Sequence, residues 1–205
     1  MSELTIGFST PRILDFDIEA RPLGWYGGDF VHKETTAIAS AWVVDGEAAD
    51  IELVLLDRTK GSAERMYRAF LKRYAEADMV TGHYIRGFDL PVLNSGCFEL
   101  DLGPLPEKLA HDTKGDLLRF QGLSKSQENL GSILGISAPK VSMSQGDWRE
   151  ANRLTPLGRE LVSERVVGDV IQHVLMRAEL LKRGFLGPPR LWTPGSGGAT
   201  PSYTP

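Results

Sequence analysis

Between residues 12 and 56 the apolar positions come in short runs separated by turn formers, a pattern of strands rather than helices. Ile13, Leu14, Phe16 and Ile18 anchor a first strand near 12–19, followed by a Gly-rich loop. Apolar runs at 36–44 and 51–56 are divided by Asp45-Gly46 and a polar spacer, so three closely linked strands read as an antiparallel meander. Periodicity then changes. Residues 62–77 place Met66, Ala69 and Phe70 at helical spacing, with Ser62 as a cap, and 78–81 return as a short strand expected to pair in parallel with the first. Helices are expected near 89–99, 113–119, 126–134 and 156–183. The predicted fold is α/β, a mixed sheet flanked by helices.

Within the first strand the charged positions carry the chemistry. Asp17 and Glu19 interrupt an apolar run, and two residues of separation put both carboxylates on one face. Two anions side by side in a partly buried strand must be neutralised by protons or by a cation, and a divalent metal is the natural partner. An edge strand with two solvated acids is the alternative. A second acid in an unusual setting lowers its weight: after the strand end Met79-Val80 and a Gly-containing turn, Asp89 opens a new apolar helical pattern with Pro91 in its first turn. An Asp there caps the helix or reaches back toward a metal.

Phe16-Asp-Ile-Glu19 and Gly82-His-Tyr-Ile-Arg-Gly-Phe-Asp-Leu-Pro91 resemble the first two motifs of the four-acid 3′-to-5′ exonucleases of the ribonuclease H-like superfamily. The likeness is greatest to the proofreading domain of family B DNA polymerases. Val166-Val-Gly-Asp-Val-Ile-Gln-His173 fits a third motif with Asp169 on a helix, and the segments starting at His111 and Ser126 are similar to the stretch that joins the second and third motifs. The resemblance spans about residues 10–185. It implies a ribonuclease H-like sheet and a site of Asp17, Glu19, Asp89 and Asp169 serving as catalytic residues and as ligands to two Mg²⁺ or Mn²⁺ ions. Two such ions, roughly 3.5–4 Å apart, activate a water and stabilise the departing oxygen in phosphodiester hydrolysis, and all-carboxylate ligation suits these hard ions. It further implies cleavage from single-stranded or frayed DNA 3′ ends. Tyr84, Phe88, Arg165 and Trp25 are candidate substrate contacts, the last on a Gly-rich loop whose aromatics suit stacking on an unpaired base.

The third motif departs from the family pattern. Where relatives place Tyr four residues, or His five residues, before the last Asp to orient the attacking water, this chain has Arg165 and Glu164. Tyr84, His83 and His173, the last one turn beyond Asp169, are alternatives by spacing. Arg165 offers a planar fork of donors for a phosphate.

Composition narrows the setting. With 205 residues and 41% hydrophobic content, one domain with a sizeable core is expected. It is assigned to 1–186, with 187–205, rich in Pro, Gly, Ser and Thr, as a disordered tail. A lone Cys97 excludes an internal disulfide and a cysteine metal cluster. The start of the chain lacks signal-peptide features and no run is long enough to span a membrane, so a cytoplasmic protein is expected. A net charge of −4 argues against a polyanion-coating protein but not against a nuclease. Arg65, Arg68, Lys72 and Arg73 read as a solvated helix face; Lys125, Lys140, Arg149 and Arg153 could line a backbone path. The leading expectation is a stand-alone exonuclease, with any proofreading partner a polymerase in trans. Its rivals are a catalytically weak module that binds nucleic acid or a replication partner, and an RNA-directed exoribonuclease.

Overall fold

The computed structural model describes residues 10–23, 33–137 and 142–195. Six strands, β1 (Ile13–Pro22), β2 (Lys33–Val44), β3 (Glu47–Leu55), β4 (Met79–Gly82), β5 (Lys108–Asp112) and β6 (Arg190–Trp192), form one sheet in the order β3-β2-β1-β4-β5-β6. β1 to β3 make the expected antiparallel meander, β4 runs parallel to β1, and β5 runs parallel to β4. Among the described residues there are five helices, α1 (Ser62–Glu76), α2 (Asp89–Glu99), α3 (Gln127–Leu134), α4 (Gln145–Asn152) and α5 (Pro156–Lys182), with α3 packed on α5. This is a mixed α/β sheet flanked by helices, consistent with a ribonuclease H-like fold.

Alternation along β1 divides the molecule. Leu14, Phe16 and Ile18 point to one face and join Met66, Phe70, Leu90 and Leu93 of α1 and α2 in the larger core. Asp15, Asp17 and Glu19 therefore point to the other face, where α5 lies. The same alternation in β2 sends Ala37, Ala39 and Ala41 toward Val162, Val166 and Val170 of α5. In the β1–β2 register these alanines stand directly opposite Glu19, Asp17 and Asp15. Three methyl side chains beside three acids let the helix approach closely and leave the carboxylates room.

Several elements differ from the sequence expectations. Residues 113–119 form turns rather than a helix, because the Asp112 side chain accepts from the backbone N–H groups of Lys114 and Gly115 at 3.0 and 2.9 Å and closes a tight turn. Ser62 is not the cap of α1: Gly61 holds that position, and the Ser62 hydroxyl accepts from the Asp57 N–H at 2.8 Å. α4, β5 and β6 were not anticipated. β6 also moves the boundary of the expected tail, since Arg190–Trp192 pair antiparallel with β5 and Trp192 is only 4% exposed in the main core. Residues 196–205 lie outside the described residues. Among the described residues no helix is long and apolar enough to cross a membrane.

Burial of Trp192 makes the C-terminal strand part of the folded unit. Trp192→Ala should destabilise the protein by about 3–5 kcal/mol, as for other buried large-to-small changes, and removal of residues 188–205 should lower the melting temperature at least as much. Thermal melts of both variants check this; unchanged melting would show that the strand contributes nothing.

Candidate metal centre

The four sequence-marked acids come from three elements. Asp17 and Glu19 sit on β1 and Asp169 on α5, and one carboxylate oxygen from each of these three lies within 4.8 Å of the other two. Asp89 is the first residue of α2. It does not cap that helix, whose N-cap is Phe88; its Oδ1 instead accepts the Ile18 backbone N–H at 3.3 Å, between the two acids of β1.

The turn that delivers Asp89 is held from below by two other carboxylates. Asp112, at the end of β5, accepts from the N–H groups of Tyr84 (3.0 Å) and Arg86 (3.1 Å). Asp116 takes both Nη atoms of Arg86, at 2.7 and 2.6 Å, a bidentate pair. Gly82 lets the chain fold back here, since a Cβ at that position would collide with the Phe16 carbonyl and with Ile85. Tyr84 takes a left-handed φ of 67° at the crest of the turn. Asp112, Asp116 and Arg86 thus act through Asp89, a role that sequence spacing alone did not assign.

Crowding of the acids has an electrostatic signature. The Asp17 carboxyl is held well above the usual carboxylate range, first by burial and then by the charges of Asp89, Asp169 and Glu19. Burial also pushes Asp89 up to about 7, with Asp112 and Glu19 adding to the rise and the Ile18 N–H opposing it. An oxygen-only set that resists ionisation in this way suits a hard divalent cation, whose charge would reverse both shifts. The acidic cluster could hold such an ion.

Arg165 already faces this cluster. Its Nε donates to Glu19 Oε1 at 2.7 Å, its Nη2 lies 3.7 Å from Asp169 Oδ2, and its guanidinium stands 5.2 Å from the ring centre of Trp148 in α4. The helix register inferred from sequence therefore puts position 165 at the site, while Glu164 is exposed. The other candidates for orienting water are placed differently. His173 is 2% exposed and engaged on both ring nitrogens, with Asp15 and Thr113. His83 is bonded through Nδ1 to Thr113 at 3.0 Å, and burial is the main cause that lowers its pKa to about 4. Tyr84 is exposed with Lys114 Nζ 4.1 Å above its ring, and Phe88 is half-buried with Lys33 Nζ at 4.4 Å. Trp25 and Lys140 lie outside the described residues. The expected basic face of α1 is largely spent on acids: Arg68 pairs with Glu64, Arg65 with Asp57, and Arg73 with Asp50 and Glu52.

No protein-family model and no curated protein matches the sequence. Among solved structures, the fold is similar to the family B DNA polymerase of the hyperthermophilic archaeon Pyrobaculum calidifontis, with a TM-score of 0.63 and 19% identity. The match covers 85% of this chain and 25% of the polymerase, so the chain corresponds in fold to about a quarter of that protein.

The raised carboxyls make the metal-free protein pH-sensitive. A carboxyl whose folded pKa exceeds its unfolded value binds more protons when folded, so stability is lost as pH rises between the two values. For Asp89 that window runs from about 4, the unfolded value, to about 7. Because burial lowers the His83 pKa to about 4, that group contributes the opposite slope over much of the same range, and the measure is a difference. By urea unfolding in EDTA, the stability of the unsubstituted protein should fall across this window relative to Asp89→Asn, and saturating Mn²⁺ should reverse that difference. Equal pH profiles for the two proteins would contradict the crowding.

Proposed function

We propose that this protein is a metal-dependent 3′-to-5′ exonuclease that hydrolyses phosphodiester bonds at single-stranded or frayed DNA ends. The observation that carries the reading is the convergence of Asp17, Glu19 and Asp169 oxygens within 4.8 Å of one another, with Asp89 bonded to the backbone between the first two. Motif likeness supplies the direction of cleavage. A solved structure of similar fold is a family B DNA polymerase, the family those motifs resemble, which supports the same assignment.

In this reading the four carboxylates hold two Mg²⁺ or Mn²⁺ ions, and those ions supply activation of the attacking water and stabilisation of the leaving oxygen. The chain's own residues do the rest. β1 fixes Asp17 and Glu19, the clamped turn fixes Asp89, and α5 fixes Asp169. Tyr84 and Phe88, on the turn beside Asp89, present rings on which a terminal base could stack. Arg165 stands where the family's water-orienting Tyr belongs and offers a guanidinium to the scissile phosphate. Its bond to Glu19 also favours a second reading, a weakened enzyme or a binding module, in which the guanidinium permanently takes the place of a cation.

End-labelled single-stranded DNA and RNA, each with Mg²⁺, Mn²⁺ or EDTA, separate these readings. The expected result is stepwise shortening of DNA from the 3′ end that requires the metal. Faster shortening of RNA would instead select the exoribonuclease, and binding without shortening the module. Asp17→Ala and Asp89→Ala should each lower hydrolysis by orders of magnitude while leaving the fold intact; unchanged turnover in both would remove these acids from the site.

Arg165→Tyr tests the departure from the family pattern. Turnover with Mg²⁺ should be kept or raised if Arg165 only displaces a water-orienting group. A rise in KM at unchanged kcat would assign the guanidinium to the substrate phosphate.

A further inference from the structure

The contact between α5 and β1 is a ladder. Four residues of helix rise about 6.0 Å and two residues of strand about 6.7 Å, so side chains at i, i+4, i+8 of α5 meet alternate side chains of β1 in register. Arg165 meets Glu19, Asp169 meets Asp17, and His173 meets Asp15, the last through Nδ1 and Oδ2 at 2.5 Å. The middle rung is two acids, and it repels. The rungs on either side attract. The His173–Asp15 rung is further braced, since His173 Nε2 is bonded at 2.8 Å to Thr113 Oγ1, which is also 3.0 Å from His83 Nδ1. The Thr113 hydroxyl, with one proton and two acceptor sites, also donates to the Gly82 carbonyl at 3.4 Å, so it links both imidazoles to the end of β4. The brace ties α5 to β1 and to the residue that follows β5.

A buried polar pair adds little stability over well-packed apolar groups, and its best-attested use is to fix register. With His173 2% exposed and Asp15 fully buried, this pair fits that use. We propose that His173 is a positioning residue: through Asp15 and Thr113 it holds α5 against β1 so that Asp169 stays opposite Asp17 before any metal arrives. The bond stands whichever partner carries the proton. The proposal rests on the metal-site reading and adds a residue to it that touches neither metal nor substrate.

The test compares His173→Ala with His173→Asn, whose side-chain amide sits near the place of Nδ1, and with His173→Gln, whose amide reaches toward Thr113 instead. Mn²⁺ affinity is measured by calorimetry, kcat and KM on end-labelled single-stranded DNA, and amide hydrogen exchange without metal. His173→Ala should weaken Mn²⁺ binding roughly 10- to 100-fold, as loss of a supporting hydrogen bond around a metal site does. It should lower kcat with KM nearly unchanged, and speed exchange at 166–172 but not in α1. Asn should restore all three, and Gln should not. Wild-type Mn²⁺ affinity in a folded His173→Ala, or restoration by Gln and not by Asn, would overturn the proposal. If His173→Ala does not fold, the Asn and Gln pair decides alone. If the unsubstituted protein binds no Mn²⁺, the metal-site reading fails, and the exchange comparison without metal still judges the ladder: equal exchange in wild type and variant refutes it, faster exchange confined to 166–172 supports it.

Discussion

Like charges must be held together against their own repulsion for this site to exist. One oxygen each of Asp17, Glu19 and Asp169 lies within 4.8 Å of the others, and Asp89 joins them through the Ile18 amide. At 4 Å two unit charges repel by about 1 kcal/mol in water and about 4 kcal/mol at the effective dielectric near a protein surface. Neither strand nor helix alone could resist that, because the acids belong to different elements. Resistance comes from attractive pairs flanking the repulsive one, and from a core on the opposite side of β1 that the acids do not enter.

That core is why the arrangement costs the fold so little. Alternation gives β1 a wholly apolar face, and Leu14, Phe16 and Ile18 there are all nearly inaccessible. The strand is secured by them, so the charged face is free to carry chemistry. Opposite the acids, Ala37, Ala39 and Ala41 keep the helix close without filling the space the carboxylates need. Larger residues at these positions would push α5 outward and open the middle rung.

Much of this was legible in the sequence, though unevenly. Period-2 alternation marked Asp17 and Glu19, and the meander and its parallel neighbour followed from run lengths and the Asp45-Gly46 turn. Asp89 stood out by its setting, after a strand end and a Gly-containing turn, but only motif likeness chose between cap and metal ligand. Asp169 was legible only through motif likeness, since one acid on a long helix has ordinary explanations. Asp15 was overlooked, although it shares the face of Asp17 and Glu19, because it sits between Leu14 and Phe16 in what reads as an apolar run. Its partner could have been found from the other side: Arg165, Asp169, His173 and Arg177 recur at four-residue intervals along α5. β5 offered too few residues to display a period. The turn at 113–119 resembled a helix because its hydrogen bonds come from the side chains of Asp112 and Asp116, which a periodicity of apolar positions does not register. α4 had a readable start, with Ser144 and Asp147 forming a capping box, but little apolar pattern behind it.

Arg165 ties these strands of argument together. In a site of four ionised carboxylates, two divalent cations would leave no net charge, and a neutral Tyr at position 165 would leave that balance as it is. Arg165 adds one fixed positive charge, and its burial against Trp148 and its bond to Glu19 keep it there. Under the proposed function the balance closes only when a phosphodiester brings its single negative charge. Arg165 would thus couple full cation occupancy to the presence of substrate, and in its absence would compete for Glu19. Under that function, the residue at which the chain departs from the motif pattern would tie the site to its substrate through charge balance rather than through a side chain that orients water.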